Sequence, residues 1–293
     1  MQQIKTVLLL TSLTVMFVML GAYFGGAMGA IIGLVVAGGM NFYAYFYSDK
    51  MILKHYNAVP ITPEQNPRLH KIIVSLAQKA DLPEPAMYII HDQTPNAFAT
   101  GRNPENAAVA ITEGLLEILD DNEIAGVMAH ELSHVKHRDM LISTVAATIA
   151  GAIAMIANVM QFSSMFSRNG SRNPIVMIAL AIILPLAASV IQMSISRSRE
   201  FMADRGAAEI TGHPEWLASA LLKLESYNSR GSVRGATQEN AHLFIISPLS
   251  GKNLSFSSLF RTHPTTQDRV EKLQELQEQM GGVSSRSSSR HYS

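Results

Sequence analysis

His130-Glu131-Leu132-Ser133-His134 lies inside a segment, Asn122 through Val135, whose residue pattern already argues for a helix. On a helix the i, i+4 spacing stacks both imidazoles on one face a single turn apart, so their ring nitrogens can converge on one metal ion. Glu131 then projects beside the coordination position left for water. The chain of 293 residues contains no cysteine. That excludes a disulfide framework, cysteine-ligated metal and a cysteine nucleophile, so any metal must be held by His, Asp or Glu. The plainer alternative is a solvated helix with incidental histidines.

Working outward, Lys136, Arg138 and Asp139 close the segment. Two apolar runs without charged side chains follow, Leu141 to about Phe166 and Ile175 to about Ile195, joined by the polar stretch Ser167 to Pro174. If these runs pair as a hairpin, the residues past Ile195 return beside His134. There stand Arg199-Glu200-Phe201-Met202-Ala203-Asp204-Arg205. A hydrolytic zinc site needs a third protein ligand and a water, and Glu200 is the best candidate. Asp204, one turn later on the same face, could accept the spare ring N–H of a metal-bound histidine, His130 first, and fix its tautomer. The competing reading is a surface helix dotted with charges. Zinc follows from the motif; a His/His/Glu set also accepts cobalt or manganese.

Composition points to a membrane. The chain is 47% apolar and only 16% charged, below the roughly 25% charged share of soluble domains. Its formal net charge is zero, which gives no lead toward nucleic acid. From Ile4 to Tyr47 the only charged residue is Lys5, and Gly25-Gly26 divides the stretch into two runs of about 20 residues, each long enough to span hydrocarbon. A signal peptide fits the first run less well, because the run is too long and a second follows at once. Lys5, Lys50, Lys54, Lys136, Arg138, Arg197, Arg199 and Arg205 fall on one side if there are four spans, and that side is then cytoplasmic. Arg168 and Arg172 disagree and leave open a re-entrant second hairpin.

Residues 1–47 are thus expected as a transmembrane hairpin, 48–140 as the first part of a catalytic domain, 141–196 as a second hairpin, 197–280 as the second part and 281–293 as a disordered tail. Within these, Pro67 to Ala80 reads as an amphipathic helix. Met87 to His91 and Ala107 to Thr112 read as short strands flanking Asn96 to Gly101, and Gly114 to Leu119 as a helix. Asp121 is expected to cap the motif helix. Ser198 to Ile210, Pro214 to Tyr227 and Pro264 to about Met280 are helical by pattern. The fold class is therefore mainly α with a small β-sheet.

The set HELSHVKHRD, SRSREFMADRGA and THPTTQDR resembles the HtpX family of membrane zinc endopeptidases, relatives of the CAAX prenyl endopeptidases, over essentially the whole chain. The resemblance implies a zincin-like (gluzincin) catalytic domain on the cytoplasmic side of a bacterial inner membrane, quality control of misfolded membrane proteins under stress, and self-cleavage. It implies one zinc ion on His130, His134 and Glu200, with Glu131 as general base. By likeness to related zinc peptidases, His263 is a candidate oxyanion donor, although a helix-start histidine without a role fits as well. Arg269 could hold Asp204 or Glu200; an ordinary surface arginine is its default reading. Peptide substrates would lie extended against a sheet edge near Asn96 to Gly101, with Asn96 a candidate contact; an Asn after Pro95 is more often a turn residue. Lys136, His137 and Arg138 fit a membrane interface better than a metal. Two rivals remain. An intramembrane protease is disfavoured by the charges around the motif. A metal-binding scaffold without turnover would have no need of Glu131.

Overall fold

The computed structural model describes residues 2–140, 197–230 and 264–288. The expected second hairpin (141–196), the polar segment from 231, His263 and residues 289–293 lie outside the described residues. The described elements are mainly helical, with one small mixed sheet, and the chain divides after Met51 into two compact units.

The first unit contains most of α1 (Gln2–His55), which is two helices broken at Gly25 and Gly26. Gly26 takes φ 57°, a conformation that costs a glycine little, and the chain doubles back there. The two arms are then tied together by Asn41, whose amide donates to the Leu10 carbonyl (3.1 Å) and to Thr14 Oγ1 (2.8 Å). Gly21 and Gly29 let the arms touch: a Cβ on Gly21 would stand 2.1 Å from the Gly29 carbonyl oxygen. Among the described residues one helix is long and apolar enough to cross a membrane, the 23-residue Gly25–Tyr47. In the first arm, Leu10–Tyr23 is an apolar helical stretch among the described residues. Val15, Met19, Ile31, Val35 and Phe42 are exposed on these arms, as lipid contact requires and as water would penalise. Tyr43 and Tyr47 stack at 5.2 Å beside Lys50, the aromatic-then-basic order of a membrane boundary.

The second unit starts at Ile52. Its sheet has the order β1 (Val59–Pro60), β2 (Ala86–Ile90), β4 (Ala108–Thr112), β3 (Ala97–Thr100), with β2 and β4 parallel and both outer pairs antiparallel. Among the described residues β3 is therefore an open edge strand. Helix α2 (Pro67–Lys79) begins on Asn66, whose side chain accepts from Leu69 N–H, with Pro67 in the first turn where no N–H is needed. Thr112 caps the short α3 (Glu113–Ile118) and also bonds both main-chain groups of Asn96, fixing the start of β3 against the end of β4.

The motif helix is α4 (Asp121–His137). Its cap is Asp120 rather than Asp121: Asp120 accepts from the N–H groups of Asn122 and Glu123, while Glu123 returns a bond to the Asp120 N–H. Only the earlier aspartate has a glutamate three residues on, which is what this reciprocal box requires. Glu123 also receives Ser219 and Lys223, each at 2.7 Å, from α6 (Pro214–Arg230). Almost every residue of α4 through Val135 is buried, so this helix is core on all sides.

Two glycines set how closely its neighbours approach. A Cβ on Gly126 would meet the Leu217 backbone of α6 at 2.6 Å, and one on Gly206 of α5 (Arg197–Thr211) would meet Ser133 Oγ at 2.1 Å. The last helix, α7 (Thr266–Ser288), buries Val270 and Leu273 against this core. It continues beyond Met280 into the expected disordered tail. Once packing fixes its first turns, each added residue needs only propagation, which costs far less than nucleation.

Candidate metal centre and active site

Two helices build the site. α4 supplies His130 and His134, whose rings stand 4.8 Å apart at an interplanar angle of 87°. α5, brought close by Gly206, sets the Glu200 carboxylate between them: Oε2 lies 3.7 Å from His130 Nε2 and Oε1 lies 3.8 Å from His134 Nε2. One donor atom from each of the three residues falls within 4.8 Å of the others. Zinc bonded to nitrogen and oxygen at about 2.0–2.2 Å in a tetrahedron needs donors roughly 3.3–3.6 Å apart. Small side-chain rotations close the difference, so the set fits a small divalent cation.

The surroundings are those of a cation site too. Burial would depress the His134 pKa, but Asp139, Glu200 and Glu131 face the ring and raise it to about 9. An imidazole so placed attracts positive charge, whether proton or metal.

Behind His130 stands Asp204, its Oδ1 2.9 Å from Nδ1. An ionised carboxylate has no proton to give, so Nδ1–H donates and the Nε2 lone pair faces the site. Asp204 is held in turn by Arg269 of α7 through two bonds, Nη2 to Oδ1 at 2.6 Å and Nε to Oδ2 at 2.9 Å. Burial would raise the Asp204 carboxyl, but Arg269 and His130 hold it below the usual carboxylate range. Arg269 is only 2% exposed, which overturns its default reading as a surface arginine. Its Nη2 also lies 3.4 Å from His130 Nδ1; with Nδ1–H committed to Asp204, that approach is proximity between two donors.

Glu131 is buried, and its Oε2 accepts a 2.9 Å bond from the main-chain N–H of Ala99 on β3. Since that N–H is spent on Glu131, it points away from β4 and toward the open edge. Asn96, at the head of the same strand, is buried, with its N–H and C=O bonded to Thr112. His137 bonds within its own helix, to Ser133 O at 2.8 Å, and stands apart from the metal cluster.

Three contributions had no place in the sequence reading. Asp139 Oδ2 lies 3.3 Å from His134 Nδ1, across a turn that Arg138 makes at φ 59°. The Ala99 N–H is a main-chain group with no sequence signature. Arg199, read only as a basic flank, is buried beside Glu200.

The comparisons with known proteins agree with this geometry. The model of Peptidase family M48 matches residues 63–277. A Protease HtpX homolog of Campylobacter hominis is 55% identical over 282 residues, covering 96% of this chain and 100% of that relative. Protease HtpX of Legionella pneumophila is 52% identical over 279 residues, covering 93% of this chain and 98% of its own. Among solved structures, S. mikatae Ste24p resembles the chain with a TM-score of 0.50 at 20% identity, over 92% of this chain and 64% of that one. That likeness concerns the fold alone. The chain belongs to peptidase family M48, among its HtpX members, and is a metalloprotease of the membrane.

Proposed function

We propose that the chain is a zinc endopeptidase that hydrolyses peptide bonds of unfolded or misfolded membrane proteins as part of membrane quality control. His130, His134 and Glu200 would hold one zinc ion, with Asp204 and Arg269 fixing the first imidazole. The observation that carries the reading is the convergence of these three donors beside a glutamate bonded to an open sheet edge. Bound there, zinc supplies the Lewis acidity that polarises a peptide carbonyl and acidifies a water. Glu131 takes the water's proton on its carboxylate and delivers it to the departing amine nitrogen. The Ala99 N–H holds one of its oxygens and leaves the other to face the proton.

Substrate would lie extended along β3, recognised through main-chain groups and so with little sequence demand, flanked at its head by Asn96. Unfolded chains offer such strands and folded ones do not, which suits quality control. The same logic allows self-cleavage by a neighbouring copy. His263 remains a proposed oxyanion donor. The lipid-facing α1 arms and the basic residues beside them support a multi-pass inner-membrane protein with this site on the cytoplasmic side.

The test is cleavage of casein by the detergent-purified chain. Activity should vanish on chelation, return with one equivalent of zinc, and fail to return in Glu200→Ala. A protein that binds zinc but leaves casein intact would favour the scaffold reading.

A further inference from the structure

His130 owes its orientation to a buried aspartate that a buried arginine holds in place. The second histidine has a parallel arrangement built from different elements. Asp139 follows the end of α4 and is 4% exposed, and its Oδ2 stands 3.3 Å from His134 Nδ1. It reaches the ring because Arg138 ends α4 in the left-handed region, φ 59° and ψ 33°, with its N–H bonded to the carbonyls of His134 and Val135. That conformation costs a non-glycine residue roughly 1–2 kcal/mol, so the tertiary contacts on either side must hold the turn. It folds Asp139 back over the helix terminus.

Arg199 enters from α5. It is 6% exposed, and its Nη1 is buried without a hydrogen-bond partner among the described residues. Its charge acts on Asp139 and Glu200 together. A guanidinium buried with one nitrogen unbonded is costly unless carboxylates beside it offset the loss of water. The two carboxylates it interacts with are the metal-side Glu200 and the partner of His134.

We propose that Asp139, backed by Arg199, is a positioning residue for His134: it takes the ring's Nδ1–H and thereby turns Nε2 toward the metal. The inference rests on reading His130, His134 and Glu200 as the ligands. Its consequence is that two residues flanking the 141–196 segment, one before and one after it, set the second histidine.

The test measures zinc affinity of the full chain in detergent, by competition with a chromophoric chelator, and the visible absorption of the cobalt-substituted protein. Asp139→Ala should weaken zinc binding by roughly 10–100-fold and shift the cobalt bands. Asp139→Asn, whose amide oxygen still accepts the N–H but carries no charge, should lose several-fold, and Asp139→Glu should recover part of the loss. Arg199→Gln should weaken binding in the same direction. Asp120→Ala, which removes the cap at the far end of α4, should lower Tm and leave both affinity and cobalt bands unchanged. Zinc affinity within twofold of wild type and unshifted bands in both Asp139→Ala and Asp139→Asn would overturn the proposal while leaving the ligand assignment standing. If the alanine variant does not fold, the asparagine variant decides alone. Failure of the wild-type chain to bind one zinc would overturn the ligand reading and this inference together.

Discussion

Glu131 Oε2 accepts a 2.9 Å hydrogen bond from the Ala99 N–H, so the expected base and the open edge of the sheet are joined at one atom. A substrate strand pairing with that edge would therefore lie beside the carboxylate proposed to take the water's proton. Proximity of this kind is worth more to the reaction than the strength of the bond itself.

Arg269 is predicted to be the most costly single polar side chain to lose near the site. Arg269→Met leaves the Asp204 carboxylate buried without its two bonds, a change that costs about 3–5 kcal/mol where one partner of a buried pair is removed. Thermal melting should show a Tm lower by many degrees, and the metal-loaded fraction should fall at limiting zinc. Arg269→Lys should recover little, since an ammonium cannot make the paired bonds to both oxygens.

The α4–α5 crossing admits a direct test of packing. Gly206→Ala places a methyl 2.1 Å from Ser133 Oγ and 2.8 Å from its Cβ, and overpacking of this kind costs about 1–3 kcal/mol. Ser133→Ala removes the nearer Oγ but keeps the Cβ at 2.8 Å, so it should relieve only part of the cost. Ser133→Gly removes both atoms, so the double variant with Gly206→Ala should be more stable than the sum of the two single changes predicts. A denaturation cycle measures the coupling. Strict additivity would mean that the helices do not meet at this pair.

The metal-free protein should depend on pH in a defined direction. His134 titrates at about 9, above its ordinary 6.5, so its contribution to stability is full below 6.5 and is lost as pH rises through about 9. Metal binding runs the other way. At neutral pH the ring must shed a proton to become a ligand, so zinc uptake should release a proton and tighten as pH rises toward 9. Calorimetry in buffers of different ionisation enthalpy counts that proton.

The parts legible in the sequence were those in which chemistry and spacing coincide. The i, i+4 histidines of α4 and the i, i+4 pair Glu200 and Asp204 of α5 are helix-face arguments, and the structure brings them together. β2 and β4 were legible as short apolar runs, β2 between Pro85 and Pro95 and β4 just after Pro104. Asp139 was not, because its return to His134 depends on one left-handed residue, Arg138, where the sequence offers no glycine to announce it. Arg269 was ambiguous for a related reason: a charged residue in a polar helix reads as solvated until a partner on another helix claims it. The choice of Asp120 over Asp121 as cap was readable from Glu123 and was missed by one residue.

The most direct measurement compares wild type with Glu131→Gln in zinc content and in casein cleavage, both proteins purified in the same detergent. The account predicts one zinc per chain in each and cleavage by the wild type alone, with the variant slower by at least a hundredfold, as general-base loss of about 10²–10⁴ requires. Equal cleavage by the two proteins at equal zinc would contradict it, because the proton would then have to leave the water by a route that does not involve Glu131.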